Sequence, residues 1–423
     1  MKKFTIISLV VMLSAINLFA QKALDGIKYR RSSLYTILME SDKFPMKDTV
    51  IKAYYKAPFP DKYNNHNLEV KSFNPKDYPI TNEERTEAGI KKVRTKKDSV
   101  GSEKLKDMPL ISDKFLKEKK IANELVAKWF NRQEDGSFDM SLISERGFYN
   151  ATDLEASIAN KTARGMASLA DAGEELIGNT FVIISRLNFV SNECAALVIR
   201  ESAYIAADQI PNIIGSMAAK KVADKIYKKT KEGYSVWTTS RLYQLKWNDS
   251  IAAVFYNDYW MDKASINLDK KNNFDNSDLF ELVFIGEQKA TSLVTFSLKG
   301  RTEEQIIELS TIRNIDKVYS KLQKEYDVFK TKTPLYSGNP ITAKIGMKEG
   351  LLGKEKFEVL EQTIDSETGK TTYIRKGIIT VDKKMIWDNR YNANEDNTEQ
   401  KIDVTTFKGA KNYYPGMLIR QIK

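Results

Sequence analysis

The chain has 423 residues, with 67 Lys and Arg against 56 Asp and Glu, a net charge of +11, and a single His and a single Cys. One imidazole and one thiol cannot supply, within this chain, a zinc site of Cys and His ligands, a His-based catalytic triad or a disulfide. No stretch reaches the ~20 consecutive apolar residues of a membrane-spanning helix, and the cationic balance suits an anionic partner.

Residues 1–20 carry the parts of a secretory leader: Lys2 and Lys3, an apolar core from Phe4 to Leu13, and Ala20 before Gln21. The apolar run is interrupted by Ser14 and Asn17, which makes it too short for an anchor. The expectation is a mature chain beginning at Gln21 and exported to the periplasm, the outer-membrane face or the outside. Nucleic acid is then not an expected partner. What remains after the leader leaves room for two or three domains of about 150 residues each.

Residues 21–90 read as an N-terminal α/β segment. Within it, residues 33–39 are apolar on both alternating faces and predict a buried strand. Pro58, Pro60, Pro75 and Pro79 punctuate the remainder, and His66 sits among polar residues that predict a solvated loop. Residues 91–120 hold eleven Lys and Arg against five acids and read as a basic linker, mobile up to Asp107 because few large apolar residues are available to order it.

Residues 121–330 form the expected central α/β domain. The spacing predicts a helix over residues 121–130, and the Asp135-Gly136 turn leads into a strand over residues 138–143. Thr152 and Glu155 make a capping box that opens a helix at Asp153, and residues 181–184 are a continuous apolar run that predicts an interior strand. Cys194 opens an Ala-rich helical stretch, where a lone thiol reads as a small buried apolar residue.

Residues 210–227 predict a helix with Ile213, Ile214, Met217, Val222 and Ile226 on one side and lysines on the other. Packing on a sheet is the expected use of that apolar side; a peripheral contact with an anionic membrane is the alternative. Residues 236–247 and 251–260 predict one hairpin, and residues 279–285 and 291–298 another, with Gly286 between its strands. Trp237, Trp247 and Trp260 on this stretch are the candidate partner-binding anchors. Thr302 and Gln305 form a second capping box, and the helix it opens carries Ile312, Ile315, Tyr319 and Leu322 in one stripe suited to docking across the sheet.

Residues 331–423 read as a small barrel-like β domain, with short strands at 343–346, 357–360, 371–375, 377–381, 385–387 and 405–407. The glycines 346, 350 and 353 do not make a phosphate loop, because Lys348 and Glu355 stand where that pattern needs Gly and Ser or Thr. The fold expected is mixed α/β: a central sheet with packed helices plus a small C-terminal all-β, barrel-like domain. No cofactor motif is present, no metal site is expected, and no catalytic residue can be named. The loops at 269–278 and 392–398 lack the Gly and terminal Glu of a calcium-binding EF-hand.

The functional expectation is an exported, non-enzymatic binding or assembly protein of the bacterial cell envelope, with an envelope protein or polymer as partner. The alternative is a carboxylate-dependent hydrolase acting on envelope polysaccharide or peptide. Pairs such as Glu174-Glu175 and Glu303-Glu304 supply carboxyls, although adjacent residues on a helix point apart.

Overall fold

A computed structural model describes residues 29–90, 106–149, 176–231, 233–295, 301–364, 371–393, 402–410 and 412–422. Strand β1 (Ser33–Met39) is interior from the start: Leu34 and Leu38 enter one apolar layer, while Tyr35, Ile37 and Met39 enter the other. Helix α1 (Lys47–Lys56) follows. Strands β2 (Asn64–Asn65) and β3 (Ser72–Phe73) are two residues each and pair parallel with the two ends of β1. A capping box at Thr81 starts α2 (Asn82–Glu87), and α3 (Met108–Glu118), α4 (Ile121–Trp129) and α5 (Ser141–Tyr149) lead towards β4 (Thr180–Ser191).

β4 lies parallel to β1 and is buried on both faces through Ser185, the environment expected for its apolar run. The chain then leaves the sheet as a helical hairpin, α6 (Asn192–Asp208) and α7 (Ile213–Thr230), and returns as β5 (Gly233–Leu245), antiparallel to β4. Helices α8 (Asp249–Val254) and α9 (Leu268–Asn276) precede β6 (Leu282–Thr295), and α10 (Glu303–Glu325) crosses the sheet. The strand order is β2-β1-β4-β5-β6, with β3 also on β1.

One face of the sheet is covered by α1 and α10 through Val50, Tyr54, Ile307, Ile315, Val318 and Leu322. The other is covered by α3 and α4, with an aromatic cluster of Phe130, Phe138, Phe255, Phe274 and Phe280. The remaining strands, β7 (Thr333–Gly338), β8 (Ile341–Ala343), β9 (Lys356–Ile364), β10 (Thr371–Val381), β11 (Thr405–Lys408) and β12 (Leu418–Gln421), close a six-stranded barrel. Leu335, Ile341, Val359, Ile379, Phe407 and Ile419 fill it. The central sheet and C-terminal barrel are thus both present. They meet along α10, where Lys324 Nζ donates to Gly350 O at 2.7 Å and Arg313 Nε to Tyr391 O at 2.9 Å.

Several local expectations are corrected. The strand expected over residues 138–143 is absent: the Asp139 carboxylate accepts the Ser141 amide at 2.8 Å at the start of α5, and Phe138 packs into the aromatic cluster. Its alternating apolar residues therefore reflect packing, not a pleat. The return strand expected at 251–260 is α8 followed by a π-helical turn (Phe255–Tyr259), started by Asn248, whose side chain accepts the Ile251 amide. The second expected hairpin is the single strand β6, with the pairing register shifting between Leu242 and Tyr243 opposite Gly286. Gly286 is needed there for space, since a Cβ would lie 2.2 Å from the Tyr326 ring.

Residues 108–118 of the stretch read as linker are α3, whose Met108, Ile111, Phe115 and Leu116 enter the core. In the barrel, the pieces at 371–375 and 377–381 are one strand with an irregularity between Arg375 and Gly377. The 343–346 strand instead runs over Ile341–Ala343, and 385–387 contributes only a bridge between Trp387 and Gly346. The leader, the helix start at Asp153, Glu174-Glu175 and the Cys194 side chain lie outside the described residues, as do residues 91–105.

Candidate functional site

The register of the sheet builds a polar floor on the face that carries α3 and α4. Alternation places Ile37 and Ile184 on that face, so the next positions along it are Met39 on β1 and Arg186 on β4. Arg186 pairs across with Met39 on one side and Thr239 on the other, and Thr239 pairs with Lys289. One row of side chains thus runs Met39, Arg186, Thr239, Lys289. The row beyond it runs Asn188, Trp237, Thr291. At about 4.8 Å per strand, Arg186 and Lys289 stand about 10 Å apart with Thr239 between them.

Behind this floor, towards Ile37 and Ile184, the face is closed over by α3 and α4. In front it opens into a cleft of about 1280 Å³ walled by the turn after β1, by residues around Asn74–Asn82 and by Lys106 and Asp107. The position suits a ligand, because β1 and β4 are parallel and the cleft lies beyond the carboxyl end of β1, where open α/β sheets bind theirs. The volume exceeds the roughly 300–1,000 Å³ of ordinary small-molecule sites and fits an extended ligand.

Charge in the cleft is unequally satisfied. Asp107 is held in a two-pronged bond by Arg85, from Nε to Oδ1 at 3.0 Å and Nη2 to Oδ2 at 2.8 Å. Glu40 accepts from Ser72 Oγ at 2.8 Å and pairs with Lys47 at 2.8 Å, and Asp42 pairs with Lys76 at 2.5 Å. Burial raises the Glu40 pKa, but the bonds from Lys47 and Ser72 outweigh it and leave the carboxyl below its ordinary range. The lining acids are therefore occupied. The side chains of Arg186, Lys43 and Lys106 have no hydrogen-bond or ion-pair partner among the described residues, and burial alone pulls the Arg186 pKa down from its usual value. A guanidinium stays charged through such a shift, so a partly desolvated cation faces the cleft without a counter-charge among the described residues.

Trp237 projects beside Arg186 with 56% of its surface exposed, and it is the one of the three candidate tryptophans that lines the cleft. Trp247 and Trp260 lie elsewhere: both are half-buried in the aromatic cluster, with Trp247 packed on Phe280 and Phe255 and Trp260 on Phe138. The three tryptophans are thus not a single surface. Arg186 was legible in the sequence as a charge two residues past the apolar run of an interior strand, on the same face as Ile184. Arg85, Lys43 and Lys289 carry no local signal, because only the tertiary fold brings them to the same opening.

Two buried polar clusters lie away from the cleft. His66, expected in a solvated loop, is fully buried and stacks on Trp129, with ring centroids 4.9 Å apart. Its Nε2 must carry the proton it donates to Leu125 O at 3.0 Å, so Nδ1 accepts from Arg146 Nη1 at 2.8 Å. Burial first, and then the Arg146 charge, hold its pKa well below the ordinary histidine value. A neutral ring locked at both nitrogens is a structural element and not a proton shuttle. Arg241 and Asp113 likewise converge on the Tyr243 hydroxyl at 2.9 and 2.8 Å.

The turn glycines 350 and 353 precede Glu355, whose Oε2 accepts the amides of Leu352, Gly353 and Lys354 at 2.9, 2.9 and 3.1 Å. Those donors are spent on the chain's own carboxylate. Of the loops weighed for calcium, residues 269–276 are part of α9, and most of 392–398 lies outside the described residues. No protein family matches the chain, and no curated protein matches it in sequence.

Proposed function

We propose that this chain is a non-enzymatic binding or assembly protein of the bacterial cell envelope, and that it holds an anionic envelope polymer in the cleft over Arg186. The observation that carries the reading is Arg186 itself, a cation in the sheet floor without a partner among the described residues, beside the exposed indole of Trp237. A desolvated guanidinium costs stability unless something pairs with it. A carboxylate or phosphate of a ligand would supply that pairing in two-pronged form, while the indole offers a flat apolar face to a sugar ring or acyl group. Lys43, Lys106 and Lys289 extend the positive lining along the length of the cleft.

Export is supported by the leader-like residues 1–20. Binding is favoured over hydrolysis because Glu40 is held in the direction opposite to that of a general acid, and its neighbours Asp42 and Asp107 are tied up by cations. An envelope location would also bring the basic hairpin α6–α7 to a lipid surface.

The test is titration of the mature chain with polygalacturonate as the anionic probe and dextran as the neutral one, read by tryptophan fluorescence. Polygalacturonate should bind and weaken with salt. Arg186→Gln should cost about tenfold or more in affinity, as expected for a lost charge-assisted bond. Trp237→Ala should remove most of the fluorescence change. Equal binding of dextran, or both variants binding as the parent does, would refute the reading; release of reducing ends from the polymer would establish the hydrolase instead.

A further inference from the structure

The helical hairpin α6–α7 joins the paired ends of β4 and β5 and presents an apolar surface that the rest of the described fold does not cover. The α7 residues that meet α6 are polar or small: Lys220 pairs with Asp208, Asp224 with Arg200, Arg200 lies over the Tyr227 ring, and Ala223 is buried. The large apolar residues point away. At the start of α7, Ile213, Ile214 and Met217 are 76%, 78% and 68% exposed, and across the bend Ile205 and Ile210 are exposed as well. The sequence pattern had suggested that this apolar side would pack on a sheet. The structure gives it no sheet, because the hairpin stands off the end of β4.

Charge is distributed along α7 in a definite order. Its first two turns carry no ionisable residue, whereas Lys220, Lys221, Lys225, Lys228 and Lys229 follow. Asp208 offsets Lys220 at 2.5 Å, while Asp224 and Glu201 pair with Arg200 at 2.6 and 3.8 Å, which leaves Lys221, Lys225, Lys228 and Lys229 without an acid of the hairpin in ion-pair contact among the described residues. Lys221, Lys225, Lys228 and Lys229 are exposed. An apolar tip is thus followed by a collar of lysines, among which Val222 and Ile226 are also exposed.

We propose that the bend between α6 and α7 inserts into an anionic membrane surface, with Ile213, Ile214 and Met217 in the interfacial layer and the lysine collar against the lipid headgroups. The axial dimensions fit. At 1.5 Å per residue, Ile213 to Met217 spans about 6 Å, within the roughly 5–10 Å to which interfacial helices bury their apolar residues. Lys221 lies about 12 Å and Lys229 about 24 Å from Ile213 along the same axis, so the nearest lysines meet headgroups while the tip is immersed. The helices do not cross: among the described residues no helix is long and apolar enough to span a bilayer. The occupant is a lipid surface and not an acidic protein, because Ile210, Ile213, Ile214 and Met217 dominate the leading element, and of the two polar side chains at the bend, Gln209 and Asn212, the latter is engaged by the Ile214 amide at 3.0 Å. The inference is independent of any ligand in the cleft.

The experiment is co-sedimentation of the full mature chain with vesicles of phosphatidylcholine alone and of phosphatidylcholine mixed with phosphatidylglycerol. The mixed vesicles should pellet the protein at low salt and release it at high salt. Ile213→Ser combined with Ile214→Ser should weaken this binding by about tenfold or more without shifting the melting temperature, because both side chains are already in water in the free protein. Lys221→Gln combined with Lys225→Gln should cost roughly fivefold per lysine and reduce the preference for anionic lipid. Failure of the parent chain to bind the mixed vesicles, or undiminished binding by both variants, would overturn the proposal. So would a parent chain that is dimeric and becomes monomeric on the serine substitutions, since the tip would then be an interface between two copies.

Discussion

Asp316 on α10 faces the barrel with its carboxylate 3.8 Å from Lys348 Nζ, and burial pushes its pKa up to about 7 from an ordinary value of 3.8. Lys348 opposes that rise and Glu349 adds to it. Between those two pH values the folded chain holds a proton on Asp316 that the unfolded chain has released, so stability falls as pH rises. The slope is at most 1.36 kcal/mol per pH unit and flattens near the raised pKa, which gives a loss of about 2 kcal/mol between pH 5 and pH 7 that approaches about 3 kcal/mol by pH 8. Asp316→Asn keeps the shape and removes the titration. The assay is urea unfolding of parent and variant at pH 5 and pH 8, with stabilities from linear extrapolation. The stability of the Asn variant relative to the parent should increase by about 3 kcal/mol from pH 5 to pH 8. His66 titrates in the opposite sense, but it is present in both chains and cancels from the difference. A parent-to-variant gap that is equal at the two pH values, or that moves the other way, would refute the assignment of a buried, protonated Asp316.

Thr302→Ala should cost on the order of 1 kcal/mol in unfolding free energy, because the Thr302 hydroxyl accepts the Gln305 amide and the Gln305 side chain accepts the Thr302 amide in return. Gly286→Ala should lower stability by about 1–3 kcal/mol, and Tyr326→Phe in the same chain should not restore it, since a ring carbon as well as the hydroxyl stands in the way. His66→Phe retains a ring against Trp129 but strands Leu125 O and one Arg146 donor, and thermal unfolding at pH 8 should show a loss of about 2–4 kcal/mol. In the parent, the depressed His66 pKa means that stability present above about pH 6.5 is lost as pH falls below it; this acid sensitivity should be weaker in the Phe variant.

The parts of the fold that the sequence made legible are those in which local pattern and tertiary environment agree. The runs forming β1 and β4 are apolar on both faces because both faces are covered, and the Thr302–Gln305 box names the start of α10 since its two bonds are local. The barrel strands β9 and β10 likewise show as β-rich runs between turns. The failures fall where aromatic side chains cluster. Phe255, Tyr256, Tyr259 and Trp260 have strand-like propensity, yet Asn248 caps a helix before them and their rings find partners from Phe130, Phe138, Phe274 and Phe280, all distant in sequence. Propensity lost to long-range packing there. His66 was misread for a related reason: its polar sequence neighbours say nothing of Trp129 and Arg146, which arrive from α4 and α5.

The cleft and the hairpin have one structural origin, the unequal lengths of neighbouring strands. β4 continues to Ser191, but its last residue paired to β1 is Arg186, opposite Met39. Beyond that row β4 has only β5 beside it, and the α3–α4 layer lies behind, over Tyr35, Ile37, Val182 and Ile184. A strand extended past its cover would ordinarily carry solvent-facing polar residues of either charge. Here the outward positions of the extension are Arg186, Asn188 and Val190, with Trp237 opposite Asn188, and the hairpin begins directly after Ser191. Positive charge without a partner among the described residues beside an exposed indole, followed by a lysine-collared apolar tip, is not what the packing of the sheet requires: an apolar side chain at position 186 would pack beside Ile184 without desolvating a charge. The end of β4 is therefore where this chain departs from what its core asks for, and that departure is the ground on which a ligand is proposed there.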